Sequence, residues 1–121
     1  FEENRVTHSL PRFKMAKYID TLHPNFFMGG ATKNWLFEAI QMTKKIKKKK
    51  ERKKIEHIPL LIFQAGKDEY SKAKRHTKFC ENLPLCQLVR FELAKHEMFQ
   101  ETDSIRNIVM EKSMRFIEEN L

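Results

Sequence analysis

Two residues carry chemistry by type and spacing, Asp68 and His96. Asp68 ends the stretch Ile58-Pro59-Leu60-Leu61-Ile62-Phe63-Gln64-Ala65-Gly66-Lys67-Asp68, and His96 sits in Lys95-His96-Glu97. A carboxylate beside an imidazole fixes the ring's tautomer and stabilises its cation. The far nitrogen can then take a proton from a nucleophile and return it to a leaving group. Neither residue is persuasive alone. An aspartate after a glycine is often turn chemistry, and many histidines are surface residues. Their order and separation add weight. In hydrolases with the order Ser…Asp…His, the acid follows one strand and the histidine the next. One crossover helix and one strand fill the 28-residue interval between them.

The elements that would position this pair are legible. The apolar run Ile58 to Phe63 is entered through Pro59 and left through Gly66, as in a strand buried on both faces of a parallel sheet. A helix is expected from Ser71 to about Glu81, ended by Asn82-Leu83-Pro84, and a second strand from Leu85 to Leu93. Strand, helix, strand of these lengths is a βαβ unit with parallel strands. Acid and histidine then leave the C-terminal edge of one sheet, where open α/β sheets keep their functional residues.

The rest of the chain is simpler. Arg12 to Leu22 reads as a short helix, Phe26-Phe27-Met28 as an apolar connector, and Gly29-Gly30 as a turn. Thr32 is placed to cap a helix from about Lys33 to Ile46 with one apolar face, which includes Trp35, Leu36, Ala39, Ile40 and Ile46. A last helix begins near Asp103 or Ser104 and runs to Asn120, burying Ile105, Ile108, Val109, Phe116 and Ile117.

The formal net charge of +8 has one source. Lys44 to Lys54 holds nine basic residues and one Glu, and outside it the charges balance. A neutral body with one basic segment, lacking interleaved aromatics, is a weak nucleic-acid signal, and no nucleic-acid partner is expected. The plainer reading is a solvated loop or frayed helix end. The sharper one is contact with an anionic membrane surface. At 40% hydrophobic residues the chain is not generally disordered. No apolar run is long enough to span a bilayer. Cys80 and Cys86 suggest no disulfide framework, so reduced thiols and an intracellular setting are the default expectation.

His8, His23, His57 and His76 show neither H-E-x-x-H nor paired Cys/His spacing, so no metal site is expected. The serines are Ser9, Ser71, Ser104 and Ser113, and none lies in G-x-S-x-G. If Asp68 and His96 are a catalytic pair, the nucleophile and the oxyanion-hole amides must lie upstream, and the chain is a C-terminal fragment.

Four segments carry a family resemblance. Asn4-Arg5-Val6-Thr7-His8-Ser9-Leu10-Pro11-Arg12-Phe13 is similar to N-x-L-T-H-S-x-x-R-[FY]. Gly29-Gly30-Ala31-Thr32-Lys33-Asn34-Trp35-Leu36-Phe37-Glu38-Ala39 is similar to G-G-x-T-x-x-W-x-x-E-[AS]. The third is Leu60 to Gln64 leading to the acid, and the fourth is His96-Glu97 ahead of the terminal helix. Together they resemble the C-terminal half of the bacterial lysophospholipase L2 type, related to monoacylglycerol lipases in the α/β-hydrolase superfamily.

The resemblance implies an α/β fold: parallel strands with crossover helices, plus part of a lid. Residues 1–30 would end the lid, 31–54 hold a helix and the basic loop, and 55–121 form the C-terminal βαβα portion of the core. It implies that Asp68 and His96 are the triad's acid and base, with Glu69 as the alternative acid. Phe13, Tyr18, Phe26, Phe27 and Met28 would line an acyl-chain pocket, or simply pack the lid on the core. The implied activity is hydrolysis of the acyl ester of lysophospholipids or monoacylglycerols, without metal or organic cofactor. Apart from the resemblance, the expected place is the cytoplasm, with peripheral contact to the inner membrane as the sharper reading of the basic run. The basic run departs from the family and inherits no role. Two alternatives remain: a small basic binding module for nucleic acid or an anionic membrane, or an inactive remnant of a split hydrolase.

Overall fold

A computed structural model describes residues 1–26 and 29–121. Phe27 and Met28, two of the expected pocket residues, lie outside the described residues. In chain order the elements are α1 (Leu10–Leu22), a 3₁₀ turn (Pro24–Phe26), α2 (Lys33–Ile46), α3 (Lys49–Lys53), β1 (Leu60–Ala65), α4 (Ala73–Cys80), β2 (Cys86–Phe91), a 3₁₀ turn (Met98–Gln100) and α5 (Asp103–Asn120).

The expected βαβ unit is present. β1 and β2 pair in parallel, in register from Leu60 opposite Cys86 to Ala65 opposite Phe91, with α4 as the crossover. Both strands therefore end level with each other. Gln64 looks out of place in an apolar run, but it is buried and fully used. Its Nε2 donates to the Ala73 carbonyl at 2.7 Å and to Thr77 Oγ1 at 3.1 Å. Its Oε1 accepts from Arg90 Nη1 at 2.7 Å. One amide thus fastens β1 to both α4 and β2, as a buried polar group requires.

Three expectations need correction. First, β1 is buried only near its end, at Gln64 and Ala65. The sheet has two strands among the described residues, so one edge of β1 has no neighbour. Second, Cys80 and Cys86 are joined by a disulfide, not separate thiols. Cys80 ends α4, Cys86 starts β2, and the turn between them brings the Cα atoms to 5.2 Å, within bridging range. Counting cysteines cannot see such a turn. Third, the apolar stripes of the helices are only partly covered. In α5, Val109 is fully buried but Ile108 and Ile117 are exposed. In α2, Thr32 caps the helix through Oγ1 and the Trp35 N–H at 3.1 Å, yet Trp35, Leu36, Ile40 and Ile46 face solvent.

The basic run, expected as a solvated loop or a frayed helix end, is largely helical. It closes α2, turns, and forms α3, with Lys54 and Glu51 paired at 2.9 Å. Among the described residues no helix is long and apolar enough to cross a membrane.

Candidate active site

The loops that leave β1 and β2 are stitched together before either functional side chain appears. The Gly66 N–H donates to the Phe91 carbonyl at 2.8 Å, and the Lys67 N–H to the Ala94 carbonyl at 2.9 Å. Ala94 is fully buried beneath this contact. Gly66 permits it, because a Cβ there would lie 2.2 Å from the Glu92 carbonyl oxygen. The glycine that reads in sequence as a strand end is thus a point of close backbone approach.

Asp68 follows two residues later, its side chain largely buried. Its Oδ1 accepts the backbone N–H groups of Tyr70 at 2.8 Å and Ser71 at 3.1 Å, forming an Asx turn. Its Oδ2 accepts the Ser71 hydroxyl and meets His96 Nδ1 at 2.9 Å. Burial pushes the carboxyl pKa up, but the bonds from Ser71, His96 and Tyr70 outweigh it and bring the value down to about 2. The group is therefore an ionised acceptor at neutral pH. That assigns the shared proton to His96 Nδ1 and leaves Nε2 as the nitrogen free to accept a proton. His96 is part-exposed, and the Tyr70 ring lies 5.0 Å away, centroid to centroid. Among the described residues Nε2 has no protein partner, so a proton donor can reach it.

The other candidates are placed elsewhere. Glu69 pairs with Arg5 at 3.1 Å. Ser71 supports Asp68, Ser113 bonds the Val109 carbonyl, and Ser104 meets Thr102. None is hydrogen-bonded to His96 among the described residues. No group of three or more His, Cys, Asp or Glu is placed to hold a metal among them either.

One residue central to the site escaped sequence reasoning. Glu101 is fully buried, and its carboxylate takes four contacts. Oε1 accepts the Lys95 N–H at 2.9 Å and lies 2.7 Å from His8 Nδ1. Oε2 accepts the N–H groups of His8 and Thr102, each at 3.1 Å. Burial raises its pKa and these bonds lower it, with a net fall below the usual carboxylate range. Around it, Thr7 Oγ1 donates to the Gln100 carbonyl at 2.6 Å, Glu97 N–H to the Val6 carbonyl at 2.8 Å, and Lys95 Nζ to the Asn4 carbonyl at 2.6 Å. The Asn4-to-Ser9 segment, expected only as part of a lid, is thereby seated on the turn that carries His96. Its compact N-x-x-T-H-S spelling was the one available signal.

A parallel strand pair with a helical crossover, an acid loop and a histidine loop side by side at one sheet edge is the arrangement of the α/β-hydrolase class. Within that class the chain belongs to the family described as Serine aminopeptidase, S33, which it matches over residues 14–103. It is also similar to the probable lysophospholipase L2 of Haemophilus influenzae, 30% identical over 116 residues. That match covers 96% of this chain and 36% of the relative, so the chain spans about a third of the length of the curated relative it matches. No solved structure matches the chain.

Proposed function

We propose that this chain supplies the acid and the base of a lysophospholipase-type serine esterase whose nucleophile lies in another part of the hydrolase. The observation that carries the reading is the contact of Asp68 Oδ2 with His96 Nδ1, with Nε2 left open among the described residues. His96 Nε2 takes the proton of the nucleophilic serine as its oxygen bonds to the acyl carbon. It then protonates the glycerol oxygen as the ester C–O bond breaks. Water resolves the acyl-serine by the same route in reverse. Asp68, ionised throughout, holds the tautomer and stabilises the imidazolium.

The substrates we propose are the acyl esters of lysophospholipids or monoacylglycerols, in keeping with the name of the Haemophilus relative. The chain alone, without a positioned serine, is inactive in this reading. Its place is the cytoplasmic side of a membrane, touched peripherally through Lys44–Lys54. The Cys80–Cys86 bridge, of a kind rare in reducing compartments, speaks against this placement. The test is hydrolysis of lysophosphatidylcholine and a monoacylglycerol by a complete hydrolase containing this sequence. Turnover that falls to a residual rate in His96→Ala supports the reading, and turnover indifferent to that change refutes it.

A further inference from the structure

The basic segment does not simply project into water. Lys47 and Arg52, from the turn before α3 and from α3 itself, share a cavity of about 420 Å³ with Arg75 and Lys78 of α4. Phe79 and Asn82 complete the lining, and no carboxylate lines it among the described residues. The Arg52 guanidinium donates to the Lys47 carbonyl, which ties the two sides of the basic turn together. The segment's nearest acid, Glu51, is committed to Lys54 at 2.9 Å. Four basic residues, from the turn before α3, from α3 and from α4, therefore line one concavity without a neutralising partner in its wall. Self-repulsion makes such a cluster costly unless an anion joins it, and guanidinium forks suit phosphate oxygens in particular.

We propose that this cavity binds the phosphate of an anionic phospholipid headgroup at a membrane surface. This rests on the peripheral-contact reading above and deepens it. The surroundings favour a bilayer over a nucleic acid. Met42 and Ile46 are exposed on α2, and with Ile55 they line a groove of about 410 Å³ that Lys45, Glu51 and Lys54 also border. Trp35 lies on the same face of α2 as Met42 and Ile46, and is also exposed. Ile46, the last residue of that face, directly precedes Lys47 of the cation pocket, an order that suits the acyl and headgroup layers of a membrane. A nucleic-acid backbone offers nothing to that apolar face. The two α4 cations lie outside the Lys44–Lys54 run, so sequence composition did not include them.

The test is vesicle co-sedimentation of the chain, with folding checked by circular dichroism. Vesicles are phosphatidylcholine alone, phosphatidylcholine with phosphatidic acid, or phosphatidylcholine with oleate at matched surface charge. The expected result is preference for phosphatidic acid over oleate. Binding should fall by about tenfold or more in Arg75→Ala/Lys78→Ala, and clearly less in Lys48→Ala/Lys50→Ala, which removes the same charge outside the cavity. Equal losses in the two double variants, or equal binding to phosphatidic acid and oleate, would overturn the pocket while leaving diffuse membrane attraction. Absence of any binding to anionic vesicles would overturn both, as would tighter binding to duplex DNA than to any vesicle.

Discussion

The carboxylate of Glu101 accepts the backbone N–H of Lys95 at 2.9 Å, one residue before His96. The histidine loop therefore hangs from a buried anion that also holds His8 and Thr102. Glu101→Ala should strand these donors and cost about 2–4 kcal/mol. Glu101→Gln, which keeps shape and one acceptor, should cost clearly less. Urea denaturation checks both, and an alanine variant as stable as the parent would remove Glu101 from this role. Because its folded pKa is depressed, Glu101 stabilises the fold above the ordinary carboxylate range, and that contribution fades as pH falls through the folded value.

Asp68→Asn should leave the loop's Asx turn largely in place but reverse the logic at His96. An amide can donate as well as accept, so the ring loses its fixed tautomer. In a complete hydrolase the expected loss is on the order of 10⁴ in turnover. Glu69→Gln, which only frees Arg5, should change the rate little. A near-normal Asp68→Asn enzyme would show that the acid lies elsewhere.

Acid should loosen the same loop. With the Asp68 pKa lowered to about 2, its contribution to stability is complete at neutral pH. It is lost progressively as pH falls from the ordinary aspartate range toward 2, not on the alkaline side. Comparing parent and Asp68→Asn in denaturant at pH 7 and pH 3 should show a gap at pH 7 that narrows at pH 3. A gap that widens on acidification would contradict the assignment.

Gly66→Ala forces a methyl group against the Glu92 carbonyl, a backbone neighbour that cannot swing aside. The change should destabilise the chain by about 1–3 kcal/mol. It should also disturb His96, whose ring resonances in a nitrogen-detected imidazole spectrum report its bond to Asp68. Unchanged stability and unchanged resonances together would mean the two loops do not depend on this contact.

Cys80 and Cys86 should resist maleimide in the folded chain and react only after reductant is added. Labelling of both without reductant would restore the expectation of separate thiols.

The sequence made local matters plain and distant ones invisible. The bounds of α2 and its Thr32 cap follow from side-chain periodicity and one hydroxyl. The two strands are offset from expectation by a residue or two at each end, because their ends are set by pairing, not composition. Asp68 and His96 could be named because a βαβ unit leaves few places for strand exits. Glu101 could not, since its meaning depends on His8, 93 positions away. Gln64 stands in the sequence as the close of the Leu60-to-Gln64 signature, and its fastening role depends on Arg90 and Thr77 beside it. The apolar face of α2 is plain in the sequence, yet no partner within the described residues covers it.

The clasp of Asn4 to Arg12 on the 95–103 turn also has a kinetic side. Its hydrogen bonds span about ninety residues, from Lys95 to Asn4, Gln100 to Thr7 and Arg12 to Glu101. Long closures of this kind form late, since chain entropy is spent before the contacts return it. β1, α4 and β2 can assemble from neighbouring segments, while the histidine turn must wait for the far end of the chain. During synthesis the Asn4-to-Arg12 segment is made before β1, yet it would be among the last parts to find its place, and the acid would be set before its base.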